Sequence, residues 1–246
     1  MTSLVKAELL KVRTVRLFWA VIGSALGVTA LALSMQLVNA GRAGTPSYGT
    51  AQSAVNVLSA GGWAAFVALV LGIVMMTSEY RHATIATTML VTPPRGRVVA
   101  AKVLAALVLG VGLAVLATAM SAAVGVGTGA VTVAAANAAV VRTVAGAALT
   151  IPLYAAVGVG FGSLVHNQTV AVASALVWFL VGESLVGSFG LRALERWTPG
   201  GATRAVAQDA TLAGALPAWA GVVLLAAYAV VFAIMGGWRI ARRDVA

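Results

Sequence analysis

Of the 246 residues, 61% are hydrophobic and only 9% charged, and there is no cysteine. A soluble domain carries about 25% charged residues, so this chain has too few solvated groups to cover a water-facing surface and needs lipid over much of it. The absence of cysteine excludes disulfides, thiolate metal sites and a thiol nucleophile.

The first predicted element is Ser3–Arg16, where Leu4, Val5, Leu9, Leu10 and Val12 alternate with Lys6, Glu8, Lys11 and Arg13. This pattern predicts an amphipathic helix at the membrane interface, with its apolar face in lipid and its basic face toward anionic headgroups. A plain helical extension of the first span is the alternative. A transmembrane helix needs roughly 20 mostly apolar residues, and six stretches qualify: Leu17–Val38, Val57–Thr77, Val103–Gly125, Ala138–Leu164, Thr169–Gly187 and Ala218–Trp238. The basic segment before Leu17 resembles the start of a signal peptide, but the apolar run of Leu17–Val38 exceeds the usual core of about 7–15 residues. The alternating segments of about ten residues that mark a membrane β-barrel are missing.

The net charge of +10 sits in clusters between the apolar runs. Lys6, Lys11, Arg13 and Arg16 precede the first span; Arg81, Arg95, Arg97 and Lys102 follow the second; Arg239, Arg242 and Arg243 close the chain. The positive-inside rule puts these clusters on one side, so both termini are expected in the cytoplasm. That placement accounts for the charge without a nucleic-acid partner, which would need a basic face.

Between the fifth and sixth spans, residues 188–217 carry Leu191, Leu194 and Trp197 at helical spacing, then Pro199-Gly200-Gly201. Helix, break and helix suggest a short hairpin on the outer side, which can dip partway into the membrane only where protein or water satisfies its backbone; a flexible surface loop is the alternative.

The motifs of enzyme chemistry are mostly absent. None of the three lysines is preceded by glycine, so there is no P-loop. His82 and His166 stand apart with no nearby carboxylate pattern, so no metal site is expected. Gly23/Gly27, Gly125/Gly129 and Gly158/Gly162 have the small-residue spacing of close helix contacts in lipid. Arg142 and Glu183 lie near the outer ends of the fourth and fifth spans, where either they pair or each snorkels separately to water.

The connection Glu79–Lys102 is the segment that says most. Positive-inside anchoring explains its arginines but not Glu79, nor the apolar turn of Ile85, Met89 and Leu90 beside a row of threonines. Glu79-x-Arg81-x-x-Thr84, Thr87-Thr88-x-Leu90, Pro93-Pro94-Arg95 and Lys102, together with Glu8-x-x-Lys11-x-Arg13 and Arg242-Arg243-Asp244, resemble the membrane subunits of bacterial type-2 ABC exporters. The resemblance extends to the six-span layout and the broken hairpin. It implies an all-α polytopic permease, one transmembrane domain over residues 1–246, that is not itself an enzyme and binds no cofactor. ATP and Mg would be held by a separate cytoplasmic ABC ATPase subunit. It also implies a dimer with a second copy or a paralogue, and a cargo path between the first, second and fifth spans. Docking on the ATPase would fall to the connection 79–102, with a short coupling helix over roughly Arg81–Val91 and Glu79, Tyr80, Arg81, Thr84, Ile85, Thr88 and Met89 as the coupling residues. Glu8, Lys11 and Arg13 of the interfacial helix would assist. The alternative is an accessory, scaffold or immunity-type membrane protein without transport activity. Under either reading the expected location is the cell membrane, in contact with lipid and without nucleic acid.

Overall fold

The computed structural model describes residues 1–14, 16–42, 45–81, 95–132, 137–165, 167–190, 192–207 and 216–243. Its described elements are helices: α1 (Thr2–Thr14), α2 (Arg16–Asn39), α3 (Ala51–Ser59), α4 (Ala64–Arg81), α5 (Arg95–Gly127), α6 (Ala138–Leu164), α7 (Gln168–Val177), α8 (Glu183–Ser188), α9 (Arg192–Glu195), α10 (Pro199–Ala207) and α11 (Ala218–Arg243). Among them six stretches are long and apolar enough to cross a membrane: Arg16–Asn39, Ala51–Tyr80, Gly96–Gly127, Ala138–Leu164, Gln168–Ser188 and Ala218–Arg239. All six expected spans are found, and the fold is an all-α membrane protein.

Two starts differ from the expectation. The second span begins at Ala51, because Thr50 Oγ1 accepts the Ser53 N–H at 3.1 Å and caps α3. A 3₁₀ turn at Ala60–Trp63 then joins α3 to α4. The third is already helical at Arg95, the first residue described after Arg81. Lys102 therefore lies two turns inside α5.

The hub of the bundle is α6. It packs on α4, α5 and α11, and its backbone meets α4 closely. A Cβ at Gly158 would lie 2.2 Å from the Leu69 carbonyl, and one at Gly72 would lie 2.0 Å from that of Ala155. Gly158/Gly162 is thus an internal seam. Gly23 and Gly27 of α2 have nothing within 4 Å. The second and fourth spans are 67% buried while the first, fifth and sixth are 22%, 11% and 17% buried; α2 packs on α4 and α5, α7 on α4, and α11 on α6.

At the end opposite the termini the hairpin is folded into the bundle. Here the break falls at Arg196–Thr198, and Pro199, instead of ending a helix, opens α10. Thr198 Oγ1 accepts the Gly201 N–H at 3.0 Å as the cap. Gly201, Ala202, Ala205 and Val206 are buried against α6 and α11. Tyr228, ten residues or roughly 15 Å along α11 from its start at Ala218, donates from its hydroxyl to the Trp197 carbonyl at 2.8 Å. Tyr154 and Thr203 join α6 to α10 through their hydroxyls at 2.9 Å. The hairpin tip reaches well below the end of the bundle, where protein satisfies its backbone.

Candidate functional site

Four charged side chains meet where α1, α4 and α5 converge. Lys102, 1% exposed at its side chain, points inward from α5, and its ammonium has three donors and three acceptors: Glu8 Oε2 at 2.7 Å, Glu79 Oε1 at 2.8 Å and the Met75 carbonyl at 3.3 Å. Lys11 donates to Glu8 Oε1 at 2.7 Å and to Glu79 Oε1 at 3.0 Å. Both glutamates are 9% exposed at the side chain, Lys11 51%. Two lysines and two glutamates make the cluster neutral, which is what allows it to be buried. One lone end remains: Glu79 Oε2 is buried without a hydrogen-bond partner.

The local sequence explains the arrangement. Glu8 and Lys11 are three apart on α1 and so share a face. Val5, Leu9 and Val12 lie on the same side and pack against the core of the bundle. The expected apolar face of the N-terminal helix is therefore turned largely onto α5 and α2, with Leu10 left 62% exposed. Burial by itself would push the Glu8 carboxyl up; the Lys102 ammonium, with Lys11 behind it, overrides burial and holds the carboxyl below its ordinary value. For Lys11 desolvation would lower the ammonium, but its bonds to Glu8 and Glu79 raise it. The cluster is held as ion pairs, with charge-assisted hydrogen bonds on both carboxylates.

The placement matters more than the strength. Glu79 lies two residues before the end of α4 and Lys102 seven after the start of α5, so the cluster ties together both feet of the connection 82–94. It fastens α1 to the same point. Glu8, Lys11 and Glu79, which the sequence pattern picks out, are thus brought together. Tyr80 packs half-buried against the core and Arg13 is exposed. The Arg81 side chain and Thr84, Ile85, Thr88 and Met89 lie outside the described residues, as do His82 and His166. Lys102 stands in the sequence pattern without a role, and Met75 is absent from it. A lysine among apolar residues at a span's start is the available signal for the first. A backbone acceptor on a neighbouring helix leaves none.

Glu183 accepts the Gly200 N–H at 2.7 Å, at the start of α10, and Arg204 is the positive charge acting on it. Arg204 is in turn paired with Glu195 at 2.6 Å. Arg142, the expected partner of Glu183, is exposed on the first turns of α6.

Six apolar spans, a helix lashed to their end and no strand among the described residues define a multi-pass membrane protein. Residues 4–182 match the ABC-2 family transporter proteins, and the chain belongs to that family. It is a permease subunit of an ABC transporter, and the family implies an ATP-binding partner subunit. A search of curated proteins finds no match.

Proposed function

We propose that the chain forms half of the membrane domain of an exporter and is driven through the connection 82–94 by a cytoplasmic ATP-binding subunit, which holds the ATP and Mg. The observation that carries this reading is the buried cluster of Glu8, Lys11, Glu79 and Lys102 at both feet of that connection. A push on a loop is lost if its ends move independently. Here the ends share one ammonium, so a displacement of the loop is passed jointly to α1, α4 and α5. The loop residues Arg81, Thr84, Ile85, Thr88 and Met89 make the contact, with Tyr80 and Arg13 beside them.

The basic clusters support cytoplasmic termini in a cell membrane. The thin internal packing of α2 and α7 supports a second permease chain, a copy or a paralogue, along those flanks, with the cargo path beside α4. The test is affinity capture from native membranes, comparing wild type with Ile85→Asp/Met89→Asp, which leaves the buried cluster intact. Wild type bringing down an ATP-binding subunit that the variant loses supports the reading. Capture unaffected by the variant moves the contact elsewhere, and a wild type without any ATP-binding subunit overturns the reading.

A further inference from the structure

The half of the bundle away from the termini holds a cavity of about 450 Å³ between α4, α6, the fifth span and the hairpin, within the size range of small-ligand sites. Four aromatic rings line it in series. Trp63 and Phe66 lie 5.3 Å apart between centroids, Phe66 and Phe179 5.7 Å, and Phe179 and Tyr154 5.2 Å. Phe179 belongs to a π-helical turn at Trp178–Gly182, and Glu183 follows directly after it into the same cavity. Such turns interrupt α-helices at functional sites more often than elsewhere.

The charge balance has one sign. Arg204 also lines the cavity and is paired with Glu195 at 2.6 Å, so Glu183, Glu195 and Arg204 together leave one net negative charge. Glu183 accepts the Gly200 backbone N–H, which orients the carboxylate without cancelling its charge. A second cavity of about 360 Å³ shares Phe179 and is walled by Leu69, Phe161 and Trp178, with almost no polar surface. A carboxylate lining a cavity with four aromatic side chains favours a cation, since the quadrupole of a ring attracts positive charge. The adjoining apolar cavity suits a hydrophobic body.

We propose that these two adjacent cavities, which share the Phe179 wall, are a binding site for an amphiphilic organic cation, whose charged head sits between Glu183 and the aromatic rings and whose apolar body lies past Phe179. The site lies within one chain and does not depend on the ATP-binding partner, so its test is separate from the capture experiment.

The experiment measures binding of radiolabelled tetraphenylphosphonium to the purified full chain in micelles, with empty micelles as the partition baseline. Saturable binding is expected, displaced by phenyltrimethylammonium and not by tert-butylbenzene, its neutral carbon isostere. Glu183→Gln keeps a carbonyl acceptor for Gly200 and removes the charge; affinity should fall about tenfold. Phe179→Leu keeps an apolar side chain and removes the ring face without touching the hairpin cap, and it should cost a similar factor if Glu183→Gln fails to fold. Uptake no greater than into empty micelles, equal displacement by the neutral isostere, or full affinity in a folded variant would each overturn the proposal.

Discussion

Lys102→Met keeps the apolar stem and deletes the ammonium. With it go the hydrogen bonds to Glu8 at 2.7 Å, Glu79 at 2.8 Å and the Met75 carbonyl at 3.3 Å. What remains is two carboxylates, each 9% exposed, facing one half-exposed lysine. Removing one partner from a buried ion pair costs about 3–5 kcal/mol, a large part of the roughly 5–15 kcal/mol that holds a domain folded. Thermal unfolding of the purified protein in detergent, followed by tryptophan fluorescence, should show a fall of roughly 6–20 °C. The triple variant Glu8→Gln/Glu79→Gln/Lys102→Met removes the buried charge altogether, and Lys11 is exposed enough to reach water. It should recover most of the loss. A single variant within about 1 kcal/mol of wild type, or a Lys102→Met loss that simply adds to that of Glu79→Gln, would refute the coupled cluster.

The cluster also predicts a pH window. Glu8 sits below its ordinary value of 4.5, so its contribution is complete above that pH and disappears as pH falls through the lowered value. Lys11 sits above its ordinary 10.5, so its contribution is complete below that pH and is lost only as pH rises past the raised value; unfolding temperature against pH checks both limbs. Gly72→Ala places a methyl 2.0 Å from the Ala155 carbonyl and should cost at least about 1–3 kcal/mol by forcing α4 off α6. Gly23→Ala meets nothing within 4 Å and should leave unfolding of the single chain unchanged in the same assay. Thr198→Ala removes the cap on Gly201 and should cost about 0.5–2 kcal/mol, read as faster protease cleavage of the hairpin in membrane vesicles.

The spans are readable in the sequence because lipid demands long apolar runs, and Ala138–Leu164 is found with both ends as expected. The second span starts earlier than its hydropathy alone suggests, because Thr50 caps α3. The N-terminal helix is legible as amphipathic, but its apolar face has a choice of two apolar surroundings. The choice falls to the bundle because Glu8 cannot be buried without Lys102, 94 residues away. Glu79 stands out in the sequence because positive-inside anchoring does not explain an acid, but its partners require the fold. The same limit applies to Glu183. Periodicity places it near the end of a span, whereas its bond to Gly200 depends on how far the hairpin enters the bundle.

If the buried cluster transmits motion, the two feet of the connection 82–94 and α1 must move as one body. Because the chain has no cysteine, spin labels can be placed at Ser3→Cys and Arg97→Cys alone, both exposed positions on α1 and α5. Their separation can then be measured by pulsed electron paramagnetic resonance in the reconstituted complex, with and without trapped ATP. A narrow distribution that stays fixed between the two states, and broadens in the charge-free triple variant, is the predicted result. A wild-type distribution that shifts or splits on ATP binding would contradict it.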